Sequence, residues 1–519
     1  MTELQSAVPL LHDYLRSSAR RAPDKIALIC DRQRYSYDAL ERASNALAHA
    51  LLRRGVVRGD RVIVNVDNGA EAAIAFWAVL KANAVVSIVG TQTKPDKLAY
   101  LLSDCRPSAL IVDQRSLGSI ADVVRACPYL RTVVVSGRVG SLDAVPNAVA
   151  WADALRPEPE QEPPLRSAID VDLAAIIYTS GSTGDPKGVM LTHRNMLTAA
   201  TSISTYLGMR EDDVVLGVLP LSFDYGLYQM IMCFRLGARL VLLRSFAYPA
   251  EVLKTVGAEC VTGFPGVPTL YAMLAELKGT EDFDLRSVRF VTNTAAALEA
   301  KHIAAIRRLF PGARIFSMYG LTECKRVSYL PPEMLDEKPD SVGIAIPNTE
   351  LWIVDENDRR VGPGVVGQLV VRGATVMRGY WDKPVETAKK LRPGPLPGEL
   401  VLYTGDYAKL DAEGFLYFVG RMDDIIKTRG EKVAPREVER ALSAIPGVKE
   451  AAVIGVPDEI LGQAVKAFVA LERGAELRPA DVTRECQKRL EGFMVPKYVQ
   501  IVDSLPKSSN GKIIKVGLQ

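Results

Sequence analysis

Residues 178–195 read YTSGSTGDPKGVMLTHRN and follow directly on the apolar run LAAII at 173–177. Between Thr179 and Gly188 the chain packs three glycines, two threonines, two serines and a lysine. A backbone that wraps phosphate oxygens uses Gly for close approach and positive φ, Ser and Thr for hydroxyl donors, and Lys for charge. The spacing is not that of the nucleoside-triphosphatase P-loop, GxxxxGK followed by Ser or Thr, because here Gly181 and Gly184 precede Lys187 and Gly188. The stretch contains no GxGxxG. On composition alone it also reads as a flexible surface loop, so its meaning depends on the rest of the chain.

Before this loop the pattern is an alternation. RYSYDALERASNALAHALLRRG places Leu40, Ala43, Leu47 and Leu51 at helical spacing, with Gly55 where the helix should end, and the strand-like DRVIVNV follows. A helix through AAIAFWAVLKA, a strand AVVSIV, a helix KLAYLLSDC and a strand SALIVD continue it. Helices alternating with short Val- and Ile-rich strands predict α/β layers with a largely parallel sheet. RPEPEQEPP, residues 156–164, has four prolines and three glutamates and predicts an extended connector. A second break falls near Gly420–Asp424. Beyond it PREVERALSAI, EAAVIGV, AVKAFVAL, ADVTRECQKRL and YVQIVD form a compact helix–strand–strand–helix–strand set with its own core, a small α+β domain.

Composition limits the function classes. The 519 residues are 48% hydrophobic and 24% charged, with 64 Lys and Arg against 61 Asp and Glu, an ordinary globular balance that singles out neither nucleic acid nor an anionic membrane as partner. Seven scattered cysteines without a CxxC pair, and four dispersed histidines, predict free thiols in a reducing compartment and no zinc site. The N-terminal MTELQSAVPLLHDYLRSSARR lacks the basic start and apolar core of a signal peptide. No apolar run has the length of a membrane span. The expectation is a cytoplasmic protein.

Four more blocks give the opening loop its context: MYGLTE at 318–323, YTGD at 403–406, GRMDDIIKTRGEKVAPREVE at 420–439 and PKSSNGK at 506–512, in that order. Together the five blocks closely resemble the adenylate-forming superfamily of acyl-CoA synthetases, peptide-synthetase adenylation domains and firefly-type luciferases, from near the N-terminus to the last residues. The resemblance implies an α/β fold: a large N-terminal domain, residues 1–420, of two layered α/β subdomains plus a small β-barrel-like subdomain, and a small mobile α+β C-terminal domain, residues 421–519.

It also implies a chemistry. A carboxylate joins the α-phosphate of ATP with release of pyrophosphate, and the acyl group then passes to a thiol with release of AMP. An anion must attack a polyanion, so the catalyst has to neutralise charge and hold both groups in line. By resemblance, Thr179, Ser180, Gly181, Ser182, Thr183 and Gly184 cradle the β- and γ-phosphates beside Lys187, and Glu323 helps to hold Mg²⁺. Tyr319 stacks on adenine next to Gly320 and Thr322, with Ala295 and Ala296 also on the nucleotide side. Asp406 takes the ribose hydroxyls, assisted by Arg421. Lys512 bridges the substrate carboxylate and the α-phosphate, and Thr183, Glu323 and Lys512 are the implied catalytic set. Asp423 matches the hinge about which the small domain rotates, and Gly430 the tunnel for the thiol.

The acid side departs from common acyl-CoA synthetases. Where those carry a Phe-His pair, LPLSFDYGLYQMIMCFRLGARL has Ser222 and Phe223, followed by Asp224. SFD resembles peptide-synthetase adenylation domains, whose aspartate pairs with a substrate ammonium, and a carboxylate in a largely apolar pocket needs a cation or a donor. Phe223, Asp224, Gly266, Thr292 and Met318 are the implied pocket residues. IKTRGEKVAPREVE, by contrast, looks like free-standing acyl-CoA ligases, and no carrier-protein segment is expected after Lys512. The reading is therefore an acid–CoA ligase using ATP, Mg²⁺ and CoA. Its alternative is a free-standing amino-acid or acyl adenylating enzyme that loads a carrier protein. A non-catalytic scaffold should have lost one of Thr183, Glu323, Asp406 or Lys512, and all four are present.

Overall fold

The computed structural model describes residues 9–137, 142, 145–156, 162–179, 185–294, 298, 300–428, 431–458, 460–507, 513–515 and 517–518. The chain divides into two compact units, Met1–Val327 with Ile346–Thr349 and Gly373–Leu391, and Ser328–Ala345 with Glu350–Arg372 and Arg392–Gln519.

In the first unit the alternation seen in the sequence becomes two sheets. The eight-stranded sheet runs in the order Gly379–Tyr380, Lys187–Thr192, Leu173–Thr179, Val85–Ile88, Arg61–Asn65, Ala109–Asp113, Thr132–Ser136 and Ala148–Ala150. Its pairings from Leu173–Thr179 onward are parallel. Lys187–Thr192 pairs antiparallel, because the turn that joins it to Leu173–Thr179 is too short for a crossover. A second sheet runs in the order Arg314–Tyr319, Phe290–Asn293, Gly263–Gly266, Val214–Gly217, Arg239–Leu242, Ile26–Cys30 and Gln33–Ser36, parallel except for its last pairing.

Two helices fill the space between the sheets. Helix Ala70–Lys81 is buried along its whole length and packs on the strands Arg61–Asn65 and Val85–Ile88. Its Trp77 stacks on Phe234, ring centroids 5.7 Å apart, and Phe234 belongs to helix Asp224–Leu236, which packs on the second sheet. Burying each large apolar side chain in this layer contributes about 2 kcal/mol. Lys81 ends the first helix inside the core and is satisfied there by Glu41 Oε2 at 2.6 Å, Ser44 Oγ at 2.7 Å and Asn45 Oδ1 at 2.7 Å. Burial nevertheless pulls its ammonium down to about 8, against the pull of Glu41.

The second unit holds two smaller sheets. One is five-stranded and built from Thr349–Val354, Gly367–Gly373, Leu391–Pro393, Leu400–Leu410 and Leu416–Arg421, the β-rich part the resemblance implies. The other, also five-stranded, comprises Ile426–Thr428, Glu431–Val433, Val448–Asp458, Gly462–Leu471 and Tyr498–Val502. With helices Pro435–Ser443 and Pro479–Gln487 it encloses a core of Val438, Leu442, Val453, Val469 and Val482. The two helices and the strands Val448–Asp458, Gly462–Leu471 and Tyr498–Val502 are the elements expected after residue 420, and the short strands Ile426–Thr428 and Glu431–Val433 add to them. Of the connector expected at 156–164, residues 157–161 lie outside the described residues. No described helix is long and apolar enough to cross a membrane.

Candidate active site

The loop that opened the reading starts where two strands stop pairing. Thr179 closes strand Leu173–Thr179 and is registered opposite Lys187, the first residue of the returning strand, with its Oγ1 donating to the Lys187 carbonyl at 3.4 Å. Ser180, Gly181, Ser182, Thr183 and Gly184 lie outside the described residues, so the cradle itself is not described while both of its anchors are. Those anchors are well supported. Tyr178 donates to Asp104 at 2.6 Å, and Trp381 donates through its backbone to the Gly188 carbonyl at 2.7 Å. A Cβ at Gly188 would come within 2.7 Å of Ile176, so only glycine fits between these strands. At its other end the returning strand passes into helix His193–Leu207 through a capping box. Thr192 accepts from the Asn195 amide and Asn195 from the Thr192 amide, which fixes where the strand stops.

Lys187 meets the MYGLTE block through a residue the sequence did not single out. Its Nζ lies 5.6 Å from the centre of the Tyr380 ring, and the Tyr380 hydroxyl donates to Glu323 Oε1 at 2.7 Å. Cation, phenol and half-buried carboxylate thus stand side by side. Glu323 is further fixed by its carbonyl, which accepts from the Met377 amide at 2.7 Å. Tyr319 ends strand Arg314–Tyr319 and is half-buried, and Gly320 and Thr322 follow it. A Cβ on Gly320 would sit 2.5 Å from the Lys325 carbonyl oxygen and 2.9 Å from the Arg326 Cα, so glycine lets the chain fold back on itself after Tyr319.

The implied acid-side residues fall on the ends of the second sheet and on the helix facing it. Phe223 precedes helix Asp224–Leu236, and Asp224 is its first residue. Thr292 sits on strand Phe290–Asn293 and accepts at its carbonyl from both Tyr225 and Tyr271. Gly266 ends strand Gly263–Gly266, and a Cβ there would meet the Tyr271 ring at 2.6 Å. Met318 is buried with its sulfur 2.9 Å from the Tyr206 hydroxyl. A small, mostly apolar pocket opens on this side, lined by Val86, Ile88, Ile176, Leu221, Asp224 and Leu227. Asp224 finds its cation inside the chain: Lys325 Nζ is 3.4 Å from Asp224 Oδ2 and 4.5 Å from the centre of the Tyr228 ring. Burial drives the Lys325 ammonium down to about 7, with Asp224 opposing. The carboxylate that suggested an amino-acid ammonium is therefore already paired.

In the second unit Asp406 and Arg421 are registered opposite each other on strands Leu400–Leu410 and Leu416–Arg421, 3.6 Å apart. Asp406 is buried, and its amide donates to Thr404 Oγ1, whose hydroxyl donates to the Leu369 carbonyl. Asp423 falls in the 3₁₀ turn Met422–Asp424 that follows. Ala295, Ala296, Gly430 and Lys512 lie outside the described residues.

Sequence reasoning missed Tyr380, Lys325 and Arg326. Tyr380 carried no signal, since its partner is far away in sequence. The pair Lys325–Arg326 could have been noticed, because two basic residues run between Cys324 and Val327 into the strand Ser328–Leu330 where a solvated turn would be expected to stop.

Known proteins resemble this chain over nearly its whole length. The AMP-binding enzyme family matches residues 15–381, and the AMP-binding enzyme C-terminal domain matches residues 437–512. A long-chain-fatty-acid–CoA ligase of Bacillus subtilis (strain 168) is 31% identical over 97% of this chain and 93% of its own length. Tyrocidine synthase 1 of Brevibacillus parabrevis is 30% identical over 98% of this chain and 44% of its own length. Among solved structures, the anthranilate CoA ligase AuaEII in complex with anthranoyl-AMP superposes with a TM-score of 0.88 at 29% identity, covering 98% of this chain and 96% of that one.

Proposed function

The chain belongs to the AMP-binding enzyme family, and from that premise we propose which of its residues carry the chemistry of an acid–thiol ligase. The reaction is the family's two-step one: a carboxylic acid attacks the α-phosphate of ATP, giving acyl-AMP and pyrophosphate, and the thiol of CoA then displaces AMP to give acyl-CoA.

The observation that carries the assignment is the contact of Lys187, Tyr380 and Glu323 at the root of the glycine-rich loop. A cation and an oriented carboxylate beside a loop of hydroxyls and glycines suit a triphosphate and its metal. Lys187 and the Thr179–Gly184 stretch take the β- and γ-phosphates. Glu323 has the hard oxygen donor that Mg²⁺ prefers, an ion commonly held by one or two carboxylates together with substrate phosphates and water. When bound, Mg²⁺ supplies charge neutralisation on the phosphates.

Tyr319 stacks on the adenine beside Gly320, Thr322, Ala295 and Ala296. Asp406 accepts from the ribose hydroxyls, with Arg421 holding its carboxylate in place. Lys512 bridges the attacking carboxylate and the α-phosphate, Asp423 is the hinge and Gly430 lines the thiol tunnel. The boundary between the ATP- and acid-binding domain and the lysine-bearing domain is placed at residue 420, within the second compact unit, a reading supported by the separate core that begins at Ile426. Loading of a carrier protein with an amino acid is not favoured, because Lys325 already supplies the cation that Asp224 requires.

The test is pyrophosphate release from ATP with a panel of carboxylic acids, followed by chromatography of the thioester formed with CoA. Acid-dependent pyrophosphate release and an acyl-CoA product are expected. Acyl-AMP that accumulates in the presence of CoA and discharges only onto a phosphopantetheinyl carrier would reverse the choice of acceptor.

A further inference from the structure

Arg326 is a buried cation with too little around it. It is 2% exposed, among the largest fully buried side chains of the molecule. Its Nη1 donates to Thr294 Oγ1 at 2.6 Å, and its guanidinium carbon lies 5.3 Å from the centre of the Tyr225 ring. Its Nε is buried without a hydrogen-bond partner, and no carboxylate pairs with it among the described residues. Its neighbour Lys325, 4% exposed, pairs with Asp224. Among the described residues the two buried cations therefore share one carboxylate.

Burying the Arg326 guanidinium away from any carboxylate of the described residues costs stability unless an anion arrives. The backbone is held in an unfavourable shape to place the pair. Lys325 has φ +60°, left-handed for a non-glycine residue, and the Arg326 amide bonds back to the Cys324 carbonyl at 2.7 Å. Strain of this kind gathers at sites that bind or react.

The position specifies the anion. Arg326 follows Glu323 by three residues, and it touches Thr294, two residues from Thr292, and Tyr225, the neighbour of Asp224, both on the acid side. The reacting carboxylate of the substrate is a poor match, because adenylation turns it into an uncharged acyl carbon and would strand the guanidinium again in the intermediate. An anion that survives both half-reactions keeps Arg326 paired throughout. The planar fork of a guanidinium fits a carboxylate best.

We propose that Arg326, backed by Thr294, anchors a second carboxylate of the acid substrate, so that the enzyme activates dicarboxylic acids. This rests on the acid–thiol ligase reading above and adds the substrate class.

The test is ATP–pyrophosphate exchange by the full chain with straight-chain dicarboxylic acids, their monomethyl esters and monocarboxylic acids of equal length. The wild-type enzyme should favour a dicarboxylic acid over its monomethyl ester by at least ~100-fold in kcat/KM, because the ester leaves the buried guanidinium unpaired. Arg326→Met should erase that preference through a raised KM for the dicarboxylic acid while leaving the rate on the ester equal or higher, and Arg326→Lys should recover part of it. Wild-type exchange that favours esters or monocarboxylic acids would overturn the proposal without touching the ligase reading, and it needs no variant to fold. Loss of both substrates alike in a folded Arg326→Met would also overturn it, by making Arg326 a packing residue stacked on Tyr225. Exchange with no acid at all would count against the ligase reading itself and the proposal with it.

Discussion

At the scale of single residues, the charges are positioned by neighbours remote in sequence. Glu323 owes its orientation to the hydroxyl of Tyr380, which donates to Oε1 at 2.7 Å and leaves the other lone pairs for a cation. Glu323→Gln has the same shape and can still accept from Tyr380, so it isolates the negative charge. It is expected to lower pyrophosphate release by ~100-fold and to raise the Mg²⁺ concentration needed for half-maximal rate. Tyr380→Phe keeps the charge and loses only the hydrogen bond, and a drop of ~10-fold is expected, in keeping with a bond to a charged group. Titrating Mg²⁺ against both variants checks the assignment, because an unchanged Mg²⁺ requirement in Glu323→Gln would remove Glu323 from the metal.

At the scale of elements, the helix Asp224–Leu236 shows what sets such residues in place. Its third residue, Gly226, packs so closely on the preceding turn that a Cβ would come 2.3 Å from the Pro220 carbonyl oxygen and 2.6 Å from that of Leu219. Both atoms belong to backbone that cannot step aside cheaply, so Gly226→Ala must push the start of the helix away and carry Asp224 off Lys325. An expected loss of about 2–3 kcal/mol would be read by urea denaturation, together with a raised KM for the acid. Elements of this kind were legible beforehand because periodicity and punctuation define them: helix Tyr37–Arg53, strand Arg61–Asn65 and helix Pro435–Ser443 lie within a few residues of the stretches that suggested them. The glycine-rich loop was legible as a motif, and the strands that anchor it, Leu173–Thr179 and Lys187–Thr192, lie where the apolar residues on either side of it run. What could not be read was which charges go inside. Lys325 and Arg326 look like solvated residues after a motif, and only the fold shows them facing Asp224, Tyr225 and Tyr228. Tyr380 was equally silent, since its meaning is a contact with Glu323 across 57 positions.

At the scale of the molecule, a buried histidine pair ties the first described residues to the layer behind the phosphate strands and makes the fold sensitive to acid. His193 opens helix His193–Leu207, and its Nδ1 accepts from the Leu11 amide at 3.2 Å, a bond that requires this nitrogen to be unprotonated. His12 meets it edge-on with ring centroids 6.0 Å apart. Burial lowers His193 to about 4, with Arg166 in the same direction and Asp172 and Asp170 opposing. Burial also holds His12 well below its ordinary value, reinforced by His193, Lys81, Arg166 and Arg16. Because the folded pKa is the lower one, the unfolded chain takes up a proton first as the pH falls below about 6.5. Stability is thus fully present above that value and is lost as the pH drops toward about 4, by about 3 kcal/mol for His193 alone. His193→Gln keeps an acceptor for the Leu11 amide and cannot titrate, so it should show a shallower decline than the wild type in urea denaturation between pH 6.5 and 4, whatever its stability at neutral pH. Equal slopes in the two proteins would mean that the acid sensitivity arises elsewhere than at His193.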